Sequence, residues 1–161
     1  MKSCGECQAC CWFFPLAFLN KPERTKCPHQ CEKGCAIYDQ ERHPVCKTFF
    51  CEWLQRPQWG EELRPDKCGI IYQRKDNLGN GRGIIQASQF SPYAWLRREN
   101  SRAIDQLVRA GNIVLRSYTD KETAEYRTFC DERRYPKATT RLVLDRVLQV
   151  NGGAARQQTA A

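Results

Sequence analysis

Nine cysteines within the first 51 residues, with His29 two places from Cys27 and Cys31, are the part of this chain best equipped for chemistry. They run Cys4-Gly-Glu-Cys7-Gln-Ala-Cys10-Cys11, then Cys27-Pro-His29-Gln-Cys31-Glu-Lys-Gly-Cys35, then Cys46-Lys-Thr-Phe-Phe-Cys51. Two cysteines separated by two residues can aim both sulfurs at one centre, the usual geometry of a metal knuckle. That spacing occurs twice in succession, sharing Cys7, with Cys11 directly after. The expectation is a metal-binding module. Zinc in closed tetrahedral sites, iron as an ion or an iron–sulfur cluster, and copper(I) all accept such thiolates. Neither common ferredoxin spacing is present, yet the adjacent Cys10-Cys11 pair is unusual for simple zinc knuckles. Zinc is the first expectation and iron the second.

Disulfides are the competing use of cysteine, and they belong to secreted chains. Here the cysteines begin at residue 4, ahead of any apolar signal region, and their total of eleven is odd. The apolar stretch from Cys10 to Leu19 is interrupted by Pro15 and falls short of the about 20 residues a spanning helix needs. A reducing, cytoplasmic setting with no membrane partner is expected.

Over about its first 70 residues the chain resembles the family of small, mostly bacterial zinc- or iron-chelating proteins named for its CxxCxxCC motif. The resemblance rests on Cys4-x-x-Cys7-x-x-Cys10-Cys11, on Cys27 with Cys35-Ala-Ile37-Tyr38, and on Pro44-Val-Cys46-Lys-Thr-Phe49-Phe-Cys51-Glu-Trp53-Leu54. It continues weakly through Arg64-Pro65-Asp66-Lys67. After the tyrosine the family has an Arg-Pro pair, where this chain has Arg42-His43-Pro44. The resemblance implies metal ligands at Cys4, Cys7, Cys10, Cys11, Cys27, Cys35, Cys46 and Cys51, enough for two four-cysteine sites. It implies chelation and names no reaction. Cys31, Cys68 and Cys130 lie outside the pattern.

Charge is read with that chemistry in mind. The formal charge is +8. Eight ligating thiolates and two divalent ions would bring it to about +4, because the thiolate is the ligating form. After Cys51, 19 basic residues are interleaved with 13 acidic ones, which reads as a solvated surface and not a nucleic-acid footprint. The arginines at 97, 98, 102 and 109 read the same way, balanced by Glu99 and Asp105.

Other chemistry finds less support. His29 could replace Cys27 or Cys31 as a ligand, whereas His43 reads as a surface residue. A Cys4–Cys7 redox pair lacks the βαβ setting of such motifs. Cys68 is expected to be a small buried residue at a strand start, with a reactive thiol as the alternative. Gly79-Asn-Gly81-Arg-Gly83 reads as a hairpin turn and not a phosphate loop. With two histidines, most hydrolytic schemes lack a general base, so no enzymatic reaction is assigned. An iron–sulfur redox protein or enzyme subunit is the alternative function, and a third reading makes the zinc lobe a rigid platform for nucleic acid or for a protein partner the sequence does not name.

The elements that must position the thiols are of two kinds. Residues 1–60 form a cysteine-rich lobe with many breakers, irregular and short of apolar surface, in which metal would replace core energy. Trp12, Phe13, Phe14, Phe49, Phe50, Trp53 and Leu54 are expected to cover the metal. Residues 61–150 are expected to be a small α+β portion packed on it, a small antiparallel sheet with one long helix. Gly69–Tyr72 and Gly83–Ala87 read as hairpin strands around turn residues 76–82. A helix is expected from Ser91-Pro92 to a cap at Gly111, with Leu96, Ile104, Leu107 and Val108 on its apolar face. Ile113–Tyr118 reads as a strand, and 120–134 as a shorter helix that would hold Cys130. Residues 141–150 fit strand or helix, and 151–161 read as a disordered tail.

Overall fold

The structure, a computed structural model, describes residues 2–38, 40, 42–119 and 126–130. Within them the chain has the α+β composition expected from its sequence. The first region is built of short pieces: α1 (Ala9–Phe13), β1 (Gln30–Cys31), β2 (Gly34–Cys35), α2 (Pro44–Thr48), α3 (Glu52–Gln55) and α4 (Pro65–Cys68). The second holds the long ones: β3 (Ile70–Gly79), β4 (Arg82–Gln89), α5 (Arg98–Arg109), β5 (Ile113–Thr119) and β6 (Tyr126–Cys130).

β3 and β4 pair antiparallel from Ile70↔Gln89 to Gly79↔Arg82. Asn80 and Gly81 alone make the turn, both with positive φ, 49° and 73°. This is the mirror-image turn whose twist suits a hairpin. The strand therefore runs through Asp76–Gly79, residues whose composition suggests a loop. α5 carries the chain back over the sheet, so β5 pairs parallel to β4, from Ile84↔Ile113 to Ser88↔Ser117. The four-stranded sheet, in order β3-β4-β5-β6, is thus mixed and not wholly antiparallel; β1 and β2 form a separate antiparallel pair.

α5 begins later than its sequence suggests. Tyr93 takes a left-handed backbone (φ 58°) and Arg97 is extended (ψ 134°), so Ala94–Leu96 make only a 3-10 turn. Leu96, expected on the buried face, is 81% exposed, whereas Ala103, Ile104 and Leu107 are buried. The helix instead buries Asn100, whose amide donates to the carbonyls of Cys68 (2.9 Å) and Ala94 (2.8 Å). The helix expected over 120–134 is also corrected, because residues 126–130 form strand β6. The run Tyr-Arg-Thr-Phe-Cys is aromatic and β-branched, which favours pairing with β5 over helix, and Cys130 pairs with Leu115. The remainder of that span, the segment 141–150 and the tail 151–161 lie outside the described residues.

Ile70, Ile71 and Tyr72 are buried in succession, so both faces of β3 are covered. α3 packs against β3 and α5 against β5. The core is continuous between the regions: Phe13, Cys51, Trp53 and Trp59 join Ile70, Ile71, Ile85 and Leu107. Of the aromatic cover, Phe13 and Trp53 are buried and Trp12, Phe14, Phe49 and Leu54 pack on the core, but Phe50 faces outward at 56% exposed. Glu52 crosses the same boundary as a buried carboxylate, accepting from Arg56 at 2.7 Å and Arg74 at 3.2 Å. Among the described residues no helix is long and apolar enough to cross a membrane.

Candidate functional site

The thiols are brought together by local turns. The Cys7 N–H donates to the Cys4 carbonyl at 2.8 Å, closing a turn that places both sulfurs ahead of α1. α1 then carries Cys10 and Cys11. The β1–β2 pair folds onto this turn at Gly34, where φ is +121° and a Cβ would stand 2.4 Å from the Gly5 carbonyl oxygen. Only glycine permits that approach. Gln8 clamps the two pieces: its amide donates to the Cys31 carbonyl and its Oε1 accepts from Gln30. At the other end of α1, the buried Lys21 donates to the carbonyls of Phe14 (2.6 Å), Pro22 (3.1 Å) and Trp12 (3.2 Å). α2 carries Cys46, and Cys51 immediately precedes α3.

Seven of the eight predicted ligands, Cys4, Cys7, Cys10, Cys11, Cys27, Cys35 and Cys46, line one cavity of about 480 Å³. Cys51 lines an adjoining void of about 10 Å³, together with Cys4, Cys7 and Cys10. The thiols share walls without forming a coordination sphere: among the described residues, no three His, Cys, Asp or Glu side chains are placed to hold an ion as they stand. Cys31 is exposed and does not line the cavity, and His29 does. His43 is at the rim, stacked on Phe18 with centroids 3.7 Å apart, its Nδ1 accepting from the Val45 N–H at 3.3 Å. Cys68 is wholly buried, away from the other thiols, with its Sγ 3.2 Å from the Ile70 carbonyl. Burial pushes it up to about 12, a packing residue by both measures. The ten cysteines with described side chains carry free thiols.

Electrostatics links the thiols to one another: burial raises Cys4, and the charges of Cys11 and Cys35 raise it further. Burial raises Cys46, and the charges of Cys11, Cys27 and Cys35 raise it further. Burial also raises Cys51, whose thiol neighbour is Cys4. Cys7 is pushed up to about 12 by burial, and it hydrogen-bonds to the Asp66 carboxylate. Cys10 donates to the Cys11 sulfur, which together with burial raises Cys10 well above its ordinary value. That same bond holds Cys11 down at about 7 against burial, with Lys21 and Arg42 helping. A soft cation entering such a site must displace protons from most of these groups.

Several contributors carry no sequence signal of their own. Lys21, Gln73 and Lys75 are single polar residues in ordinary contexts. Arg42, over the Tyr38 ring at 3.9 Å, lies in the loop that departs from the chelating-family pattern. Asp66 is the exception, since it belongs to the Arg64-Pro65-Asp66-Lys67 run. Comparison with family models, curated proteins and solved structures gives no match.

Proposed function

We propose that this chain is a metal-chelating protein that binds zinc, or else iron, through clustered cysteine thiolates in a reducing cytoplasm. The observation that carries the reading is convergence: eight thiols, from three separate stretches of chain, line two adjoining hollows. Cys11, Cys27, Cys35 and Cys46 would form one ligand group, because Cys46 senses the other three. Cys4, Cys7, Cys10 and Cys51 would form the other, around the smaller hollow. The donor set fits a soft ion, and Lys21 and Arg42 beside Cys11 offset part of the thiolate charge. Bound zinc would supply folding energy to a region with little apolar core. The reading also agrees with the chelating family that the first 70 residues resemble.

The contact between Cys10 and Cys11 favours one second reading. Both residues of the adjacent pair line the same cavity and their thiols touch, an arrangement a polynuclear iron–sulfur centre could use. Anaerobic purification followed by assay of zinc, iron, copper and acid-labile sulfide separates the two. About two zincs per chain without sulfide is expected, with Cys46→Ser losing one of them. Iron with matching sulfide would replace the zinc reading by the cluster, and no bound metal would end both.

A further inference from the structure

The 480 Å³ cavity is far larger than two metal ions require, and lies within the usual range for small-molecule sites. Its walls away from the thiols are apolar, with Phe14, Leu16, Phe18, Ile37 and Phe49 among them. Three polar side chains of the same lining carry atoms with no hydrogen bond or ion pair among the described residues. The Nε–H of Arg42 and the Oε1 of Gln73 are buried without a hydrogen bond. Lys75 has no ion pair, and burial alone lowers its ordinary value, with no thiol acting on it. Lys75 is also the extra residue of a β-bulge: Arg74 pairs with Ile85 and Asp76 with Ile84, leaving Lys75 unmatched. Bulges re-aim side chains and recur beside functional sites. No acidic side chain lines the cavity among the described residues.

A half-buried cation, a buried N–H and a buried carbonyl are each costlier to leave unpaired than in open water. We infer that the cavity is a binding site for a small organic anion, its anionic head taken by Lys75 and Arg42, a neighbouring N–H or O–H taken by Gln73, and its apolar body lying against the phenylalanines. This goes beyond chelation: none of the three groups is among the assigned metal ligands, and of the three only Arg42 also stands beside a ligand, Cys11.

The test uses the full chain as purified, with its metal content measured in every sample. Anilinonaphthalene sulfonate, which carries an anion, an N–H and aromatic rings, is titrated by fluorescence beside the neutral phenylnaphthylamine that lacks the sulfonate. The inference expects one sulfonate probe per chain, bound at least about tenfold tighter than the neutral one. Lys75→Met should erase that preference while Lys75→Arg keeps it, and Gln73→Leu should weaken both probes, because each carries the N–H that Gln73 would accept. Equal binding of the two probes by the wild-type chain, or no binding, overturns the anion site without recourse to any variant. So does a sulfonate preference that survives Lys75→Met. Metal content decides chelation separately, since the Lys75 variants leave every thiol in place.

Discussion

The cysteine-rich region and the sheet region solve the problem of order in opposite ways. In the first, the elements from α1 to α4 are two to five residues long, too short to hold themselves together. Their positions come from side-chain clamps on backbone: Gln8 on the β1–β2 pair and Lys21 at the end of α1. In the second, strands of up to ten residues place Ile70, Ile71, Ile85 and Leu115 at zero exposure. Hydrophobic burial secures the sheet, while the lobe spends its residues on thiols and on the polar groups that position them. The lesson is that the lobe is held in shape by contacts that also make a site, so changes to its ligands should change its fold.

Metal removal should break that contrast open most widely. A strong chelator added to the metal-loaded protein is expected to erase amide-exchange protection across residues 4–51 while residues 70–89 keep theirs. Structural zinc contributes roughly 10–16 kcal/mol in small peptides, as much as the about 5–15 kcal/mol stability of a whole domain. A lobe that stays protected would mean its clamps suffice alone. Simultaneous loss in both regions would mean that Trp53 and Trp59 weld them into one cooperative unit.

The next effect lies on the boundary. Glu52 is 1% exposed and joins Arg56 beside α3 to Arg74 on β3. Glu52→Gln leaves two half-buried guanidinium groups without their charge partner, at a cost of about 3–5 kcal/mol. Denaturant unfolding should show that loss, whereas Glu62→Gln, on an exposed carboxylate, should stay within about 0.5 kcal/mol. If the two variants behave alike, the regions are joined by apolar packing and Glu52 is incidental.

The contrast also governs what could be read from residue order. Periodicity and turn chemistry located the β3–β4 hairpin, the buried Ile104 and Leu107, and the Gly111 cap, because local physics decides those. It misplaced the start of α5, where the left-handed backbone at Tyr93 and the tertiary bonds of Asn100 override the Ser91-Pro92 signal. It also missed β6, since an edge strand is stabilised by the neighbour it pairs with, and the parallel β4–β5 pairing, which depends on where α5 delivers the chain. In the lobe, spacing pointed to thiols that do gather on common walls. It could not separate Cys51 from the larger cavity, or bring Arg42, Gln73 and Lys75 to that cavity, because those placements depend on how separate elements of the fold pack together.

A smaller effect tests the close approach inside the lobe. Gly34→Ala must place a methyl group 2.4 Å from the Gly5 oxygen at a φ that side chains avoid, whereas Gly79→Ala, at φ +81°, meets nothing within 4 Å. The first should cost about 1–3 kcal/mol, and the second less because it carries backbone strain without a clash. Thermal unfolding compares them, and metal content should fall with the first alone. Equal losses would show that the β1–β2 pair can move off the Cys4–Cys7 turn without harm to the lobe.

The smallest effect belongs to the sheet and is read through pH. The Tyr72 hydroxyl donates to Asn100 Oδ1 at 3.1 Å, and Tyr72→Phe should cost about 0.5–1.5 kcal/mol at neutral pH. Burial holds the folded phenol well above its ordinary value of 10.0, so it stays protonated in the fold after the unfolded chain has released its proton. The unfolded state then binds fewer protons, and stability present below about pH 10 is lost as pH rises further. Denaturant midpoints at about pH 8 and about pH 11 should therefore converge between wild type and Tyr72→Phe, because phenylalanine has no such loss. A gap that stays constant with pH would mean the phenol ionises in place, which the sheet could permit only if water reached it. The sheet would then be less closed than the burial of Ile70 and Ile71 implies, and the sharp contrast with the lobe would soften.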